Sequence, residues 1–138
     1  MNLARLVMLP VAAFLMAASS ASAQSLDFET YKNNVEPIFL KKRPPHARCV
    51  VCHSNSNSAF RLQPLAKGAK QWSEEDSRKN FAIVVNLVKP GMPESSRLLI
   101  HPLTREAGGD LFHNGGRQFA SQKDPDWLAI ADWVSKGK

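Results

Sequence analysis

Cys49-Val50-Val51-Cys52-His53 is the stretch whose residue types and spacing can do chemistry together. Two residues between the thiols let one short turn present both sulfurs to the same neighbour, and the next residue adds an imidazole beside them. Three chemistries use such a pair. A thioredoxin-like dithiol uses C-x-x-C, but no strand-helix-strand pattern surrounds this one, and its histidine would have no task. A structural zinc ion wants four nitrogen or sulfur ligands, usually with a second close pair, and the chain has only two cysteines. Haem attachment uses all three residues: the thiols capture the two vinyl groups of one porphyrin, and neutral His53 offers its nitrogen to the iron. The motif predicts one covalent haem c, bound by Cys49, Cys52 and His53.

Haem iron takes a further axial ligand, which sets the potential and decides whether small molecules reach the metal. Beyond His53 the candidates are Met92, His101 and His113. Met92, in Gly91-Met92-Pro93, would raise the potential relative to a second histidine, but a methionine there can equally fill a gap in the core. His101 precedes Pro102, which favours an extended approach, and can equally cap the preceding helix as a cation. His113 lies between Gly108-Gly109-Asp110 and Gly115-Gly116, a loop whose glycines let backbone pass close to a flat ring. Its plainer role is a loop histidine bonded to backbone groups. His113 is taken as the second metal ligand, with Met92, His101 and an open site as alternatives. His46, three residues before Cys49, is tied to the proximal side and reads as a surface histidine.

The elements that must position these residues are helical. Phe28, Tyr31, Val35, Ile38 and Phe39 recur at three- and four-residue steps, so a helix with one buried face is expected from Asp27 to Leu40, with Pro37 dividing it after Val35. The segment 41–48, with Pro44-Pro45, reads as an extended connector, and Ser54 to Ser58 as a loop. Phe60, Leu62 and Leu65 then either line a haem edge or pack in the core. Ser73-Glu74-Glu75-Asp76 has the form of a capping box, opening a helix with the stripe Phe81, Val84, Val85 and Val88 that Lys89-Pro90-Gly91 ends. Pro93 to Ile100 reads as one short helix. Asp124-Pro125 starts a last one carrying Trp127, Ile130, Ala131 and Val134 on one face.

Residues 1–23 have the pattern of a secretory signal: Arg5, an apolar run from Leu6 to Ala18, and Ala21-Ser22-Ala23 before Gln24. The apolar run is short for a spanning helix of about 20 residues, so a soluble exported domain over residues 24–138 is expected, in the periplasm or beyond the cell. With both cysteines assigned to the haem, no disulfide remains to staple the domain. The chain carries 18 Lys and Arg against 12 Asp and Glu, a formal +6, of which only Arg5 belongs to the leader. Such a surface favours acidic protein partners. It does not point to nucleic acid, because its basic residues are scattered and the one cluster, Lys41-Lys42-Arg43, runs into prolines.

Taken together, the chain resembles the small exported members of the bacterial c-type cytochrome domain family. The resemblance rests on Val35-Glu36-Pro37-Ile38-Phe39, the motif Cys49 to His53, Ser96-Arg97-Leu98-Leu99 and His101-Pro102-Leu103. It continues through Gly108-Gly109-Asp110, His113-x-Gly115-Gly116 with Phe119, and Asp124-Pro125-Asp126-Trp127 to Trp133. It implies an all-α, cytochrome c-like domain in which the terminal helices cross beside the haem and a loop before the last helix carries the distal ligand. The usual distal residue there is methionine, whereas this loop offers His113. The implied activity is electron transfer between redox proteins, with no catalytic residues. A gas- or peroxide-binding haem with an open sixth site, or a haem subunit of a larger exported complex, are the alternatives.

Overall fold

Within residues 25–137, which the computed structural model describes, the chain forms helices, turns and loops and no strand. The leader expected over residues 1–23 lies outside the described residues. No helix among the described residues is long and apolar enough to cross a membrane.

The first helical run is built around a proline. Asp27 caps α1 (Phe28–Thr30) by accepting the Thr30 N–H at 2.6 Å. A π turn, Tyr31–Val35, follows, and the Glu36 N–H reaches back to the Tyr31 carbonyl. That widened turn lets α2 (Glu36–Leu40) start afresh with Pro37 in its first turn, where a missing donor is tolerated. The division expected at Val35 is therefore present, as a reset of the hydrogen-bond ladder with no gap between the segments.

The buried residues of this run, Tyr31, Val35, Ile38 and Phe39, pack toward the last helix. Tyr31 lies 5.6 Å from Trp133 and 5.2 Å from Phe81 between ring centroids. Asp124 caps that helix, α6 (Pro125–Ser135), accepting from the backbone of Asp126 and Trp127, and Pro125 takes the first position. The indole of Trp133 donates to the Asp27 carbonyl at 2.9 Å and that of Trp127 to Leu99 at 3.3 Å. Each large apolar side chain buried here contributes about 1.5–3 kcal/mol.

Of the expected capping box one half forms: the Ser73 hydroxyl accepts the Asp76 N–H at 3.1 Å and opens α4 (Glu74–Val84), which tightens into a 3-10 turn over Val85–Leu87, while the Asp76 carboxylate accepts from the Ser73 hydroxyl instead of its backbone N–H. Its buried face differs from the apolar stripe. Val84 and Val88 are buried, but so are Ser77 and Asn80, both fully. They face Glu36, a buried carboxylate that accepts from Ser77 Oγ at 2.6 Å, Tyr31 OH at 3.2 Å and Asn80 Nδ2 at 3.3 Å. Four side chains thus sew α2 to α4.

The helix expected from Pro93 to Ile100 is split into a 3-10 turn, Pro93–Ser95, and α5 (Arg97–Ile100). The cause is Ser96, whose buried hydroxyl accepts the Lys89 N–H and donates to the Met92 carbonyl, both at 2.9 Å. That bridge satisfies the preceding turn and fixes where α5 begins.

Candidate functional site

Cys49, Cys52 and His53 occupy a helix of their own, α3 (Cys49–His53), with Val50 as its buried anchor. Its position follows from the connector before it. The Arg43 guanidinium pairs with Asp124, Nη2 to Oδ1 at 2.8 Å and Nη1 to Oδ2 at 3.0 Å, and also touches Asp126. It lies over the Phe119 ring, and Gln118 donates to the Ala47 carbonyl at 3.1 Å. The basic cluster read as surface charge therefore clamps the motif to the start of α6, and the Arg43 bonds hold the Asp124 carboxyl below its usual range.

Both thiols border a cavity of about 310 Å³, within the usual range for small-ligand sites. Cys49 is half-buried, and burial pushes its thiol up to about 11, whereas Cys52 is exposed. Ile38, Phe39, Leu98, Phe119 and Ile130 give the cavity apolar walls, and Phe60 closes one side against the His53 ring, 4.5 Å between centroids.

His53 and His113 face each other across this space. Their ring centroids are 6.3 Å apart and their planes 23° from parallel. The His53 Nδ1 lies 2.7 Å from the Phe60 carbonyl, with Ser58 Oγ at 3.2 Å, and the His113 Nδ1 lies 2.6 Å from the Gly116 carbonyl. A carbonyl can only accept, so each Nδ1 carries the hydrogen and each Nε2 keeps its lone pair, the tautomer a metal ligand needs. Burial is the main force lowering both imidazoles' affinity for a proton, aided by the neighbouring histidines, and it outweighs the carbonyl bonds. Both rings are thus held neutral.

His101 joins them on the cavity wall, its ring perpendicular to His113 at 5.0 Å and its Nδ1 2.8 Å from Asp110 Oδ2. Met92, the other alternative, is 54 % exposed and does not border the cavity, which removes it as a partner for His53. His46, read as a surface residue, is half-buried against the same loop: a Cβ on Gly116, whose φ is +81°, would come within 2.5 Å of His46 Nδ1.

The residue that organises the histidine-bearing loops was not singled out from sequence. Arg117 donates through Nη1 to the carbonyls of His101 at 3.0 Å and Leu103 at 3.1 Å, and through Nη2 to that of Asp110 at 2.5 Å. Gly109 fits beneath because it lacks a side chain: a Cβ there would lie 2.0 Å from the Leu103 oxygen.

The donor set fits a haem. His53 and His113 each leave an Nε2 without a carbonyl partner on the lining of the cavity that Cys49 and Cys52 also border, the donor types that would hold a haem. No group of three or more His, Cys, Asp or Glu that could hold a metal ion occurs among the described residues. Arg48 and Arg97, both exposed, border the cavity without a carboxylate among its lining residues, a setting for a ligand that carries carboxylates of its own. No protein-family model, curated protein or solved structure matches this chain.

Proposed function

We propose that the chain is an exported monohaem c-type cytochrome with a cytochrome c-like fold, carrying single electrons between redox proteins. The observation that carries this reading is the placing of Cys49, Cys52 and His53 on one cavity edge, with His113 opposite His53 and both Nδ1 atoms tied to backbone carbonyls. Bound haem supplies a one-electron ferric/ferrous couple. Cys49 and Cys52, both on the cavity lining, would hold the group through their sulfurs. His53 and His113 would offer it their Nε2 lone pairs, and their carbonyl partners keep both rings in one tautomer and one orientation. Packing of the α1–α2 run against α6 supports the cytochrome c-like topology, and the leader pattern of residues 1–23 supports export. Arg48 and Arg97 at the cavity, on a chain of formal +6, suit brief encounters with acidic redox partners. His113 standing across from His53 argues against a permanently open sixth position and so against gas or peroxide binding as the main role.

The test is expression of the full chain in a host that attaches haem to exported proteins. The expected product is red, has the mass of the processed chain plus one haem, and keeps its pigment in denaturant. A Cys49→Ser, Cys52→Ser variant loses that covalent pigment. Colourless wild-type protein with the mass of the bare processed chain overturns the reading.

A further inference from the structure

Two imidazoles, His113 and His101, stand on the wall that faces His53, and they are held very differently. The body grips His113's loop only at its ends. From Leu111 to Gly115 no backbone N–H among the described residues is bonded to another backbone group, and the turn closes on itself through the Gly116 N–H and the His113 carbonyl. Leu111 is 76 % and Phe112 68 % exposed, so His113 is the one large side chain this tip turns inward, and the body's hold on Gly115 is one long bond from Gln118. Segments with so few buried contacts and backbone bonds open at low free-energy cost.

His101 is fixed at its backbone, while its ring is held by one side-chain bond, to Asp110. It forms the C-cap of α5, its N–H bonded to Arg97 O at 3.0 Å, and its carbonyl is gripped by Arg117. Its Nδ1 meets the Asp110 carboxylate at 2.8 Å, the carboxylate–histidine arrangement typical of metal ligands, and Nε2 is the ring nitrogen left for another partner. Its ring centroid lies 5.0 Å from that of His113, and both rings border the cavity.

We propose that His101 is a reserve axial ligand: when the loop carrying His113 lifts, His101 swings into its place, so the iron stays closed to oxygen, carbon monoxide and peroxide. The inference rests on the haem reading above. It makes His101 the residue that keeps the site an electron carrier rather than a ligand-binding haem, and it explains a second distal histidine with its own carboxylate partner.

The experiment uses pigmented full-chain protein and its His113→Ala, His101→Ala and double variants, followed by ferric near-infrared and electron paramagnetic resonance spectra and by carbon monoxide binding to the reduced form. His113→Ala is expected to keep the low-spin signature of two imidazoles, and the double variant to turn high-spin and bind carbon monoxide at once. His101→Ala is expected to keep the wild-type spectrum yet bind carbon monoxide at least about tenfold faster than wild type, since nothing then refills the position when the loop opens. A high-spin His113→Ala protein that binds as fast as the double variant overturns the proposal, as does a double variant that stays low-spin, because another residue is then the reserve. If His113→Ala does not fold, equal rates for wild type and His101→Ala overturn it by themselves. Pigmented variants with these negative results leave the cytochrome reading standing, whereas colourless wild-type protein removes both.

Discussion

His53 and His113 are kept neutral by burial, and each has one nitrogen occupied by a backbone carbonyl. Exchanging one donor while keeping the other should therefore change the metal's electronics more than the protein's shape. His113→Met is expected to raise the reduction potential by on the order of 100 mV, read by spectroelectrochemistry, because a thioether favours the ferrous state. An unchanged potential would mean that His113 does not bind the iron. Cys49, Cys52 and His53 were legible as a group because they are near neighbours in the sequence, and they share one helix and one cavity. His113 was legible more faintly, through the glycines around it. Arg117 left no trace in the sequence, since its partners are the carbonyls of His101, Leu103 and Asp110, and every residue has a carbonyl. The Phe60 carbonyl that orients His53 was hidden for the same reason.

Between elements, the firmest polar joint is Glu36 with Tyr31, Ser77 and Asn80. Glu36→Ala strands three buried donors at once, and the expected loss is about 3 kcal/mol or more in denaturant unfolding. Glu36→Gln keeps one carbonyl oxygen for Tyr31 and Asn80, and the Ser77 hydroxyl can turn to accept from its amide, so it is expected to lose less. The joint escaped the apolar pattern of α4 because hydrophobic periodicity cannot mark a serine and an asparagine that are buried to meet a carboxylate on another helix. At the distal side, Gly109→Ala drives a methyl into the Leu103 carbonyl and is expected to cost about 1–3 kcal/mol and to loosen the hold on His113. A second joint, Arg43 with Asp124, is sensitive to acid. The bonds from Arg43 hold the folded Asp124 below its ordinary value of 3.8, so their contribution is present above that value and is lost as pH falls through the lower folded one. Melting curves between about pH 5 and pH 2 should show that loss, and Asp124→Asn should flatten it while keeping a side chain able to cap α6.

Over the whole molecule, many of the acids are already engaged. Glu74 pairs with Lys32 and Arg78, Glu75 with Lys79, Asp132 with Lys136, and Asp124 and Asp126 with Arg43 and Lys41. The excess positive charge includes Arg48 and Arg97 beside the cavity. Oxidation of the reduced protein by ferricyanide, an anion, is expected to slow steeply as ionic strength rises from about 0.01 M to 0.3 M, because screening shortens the reach of that charge. A rate indifferent to salt would remove electrostatic steering. The all-α class was legible from three-to-four-residue periodicity and caps. The gathering of His53, His101 and His113 was not, since it depends on the Arg43 and Arg117 clamps closing the chain around one cavity.

The three tryptophans, Trp72, Trp127 and Trp133, are all at most 5 % exposed, and the two on α6 flank Ile130, which borders the cavity. Indoles this near a strongly absorbing pigment hand their excitation to it instead of emitting. With haem bound as proposed, the molecule would carry its own optical gauge: pigmented protein is expected to be almost dark in ultraviolet fluorescence, and light to return in step with unfolding as α6 moves away from Cys49 and Cys52.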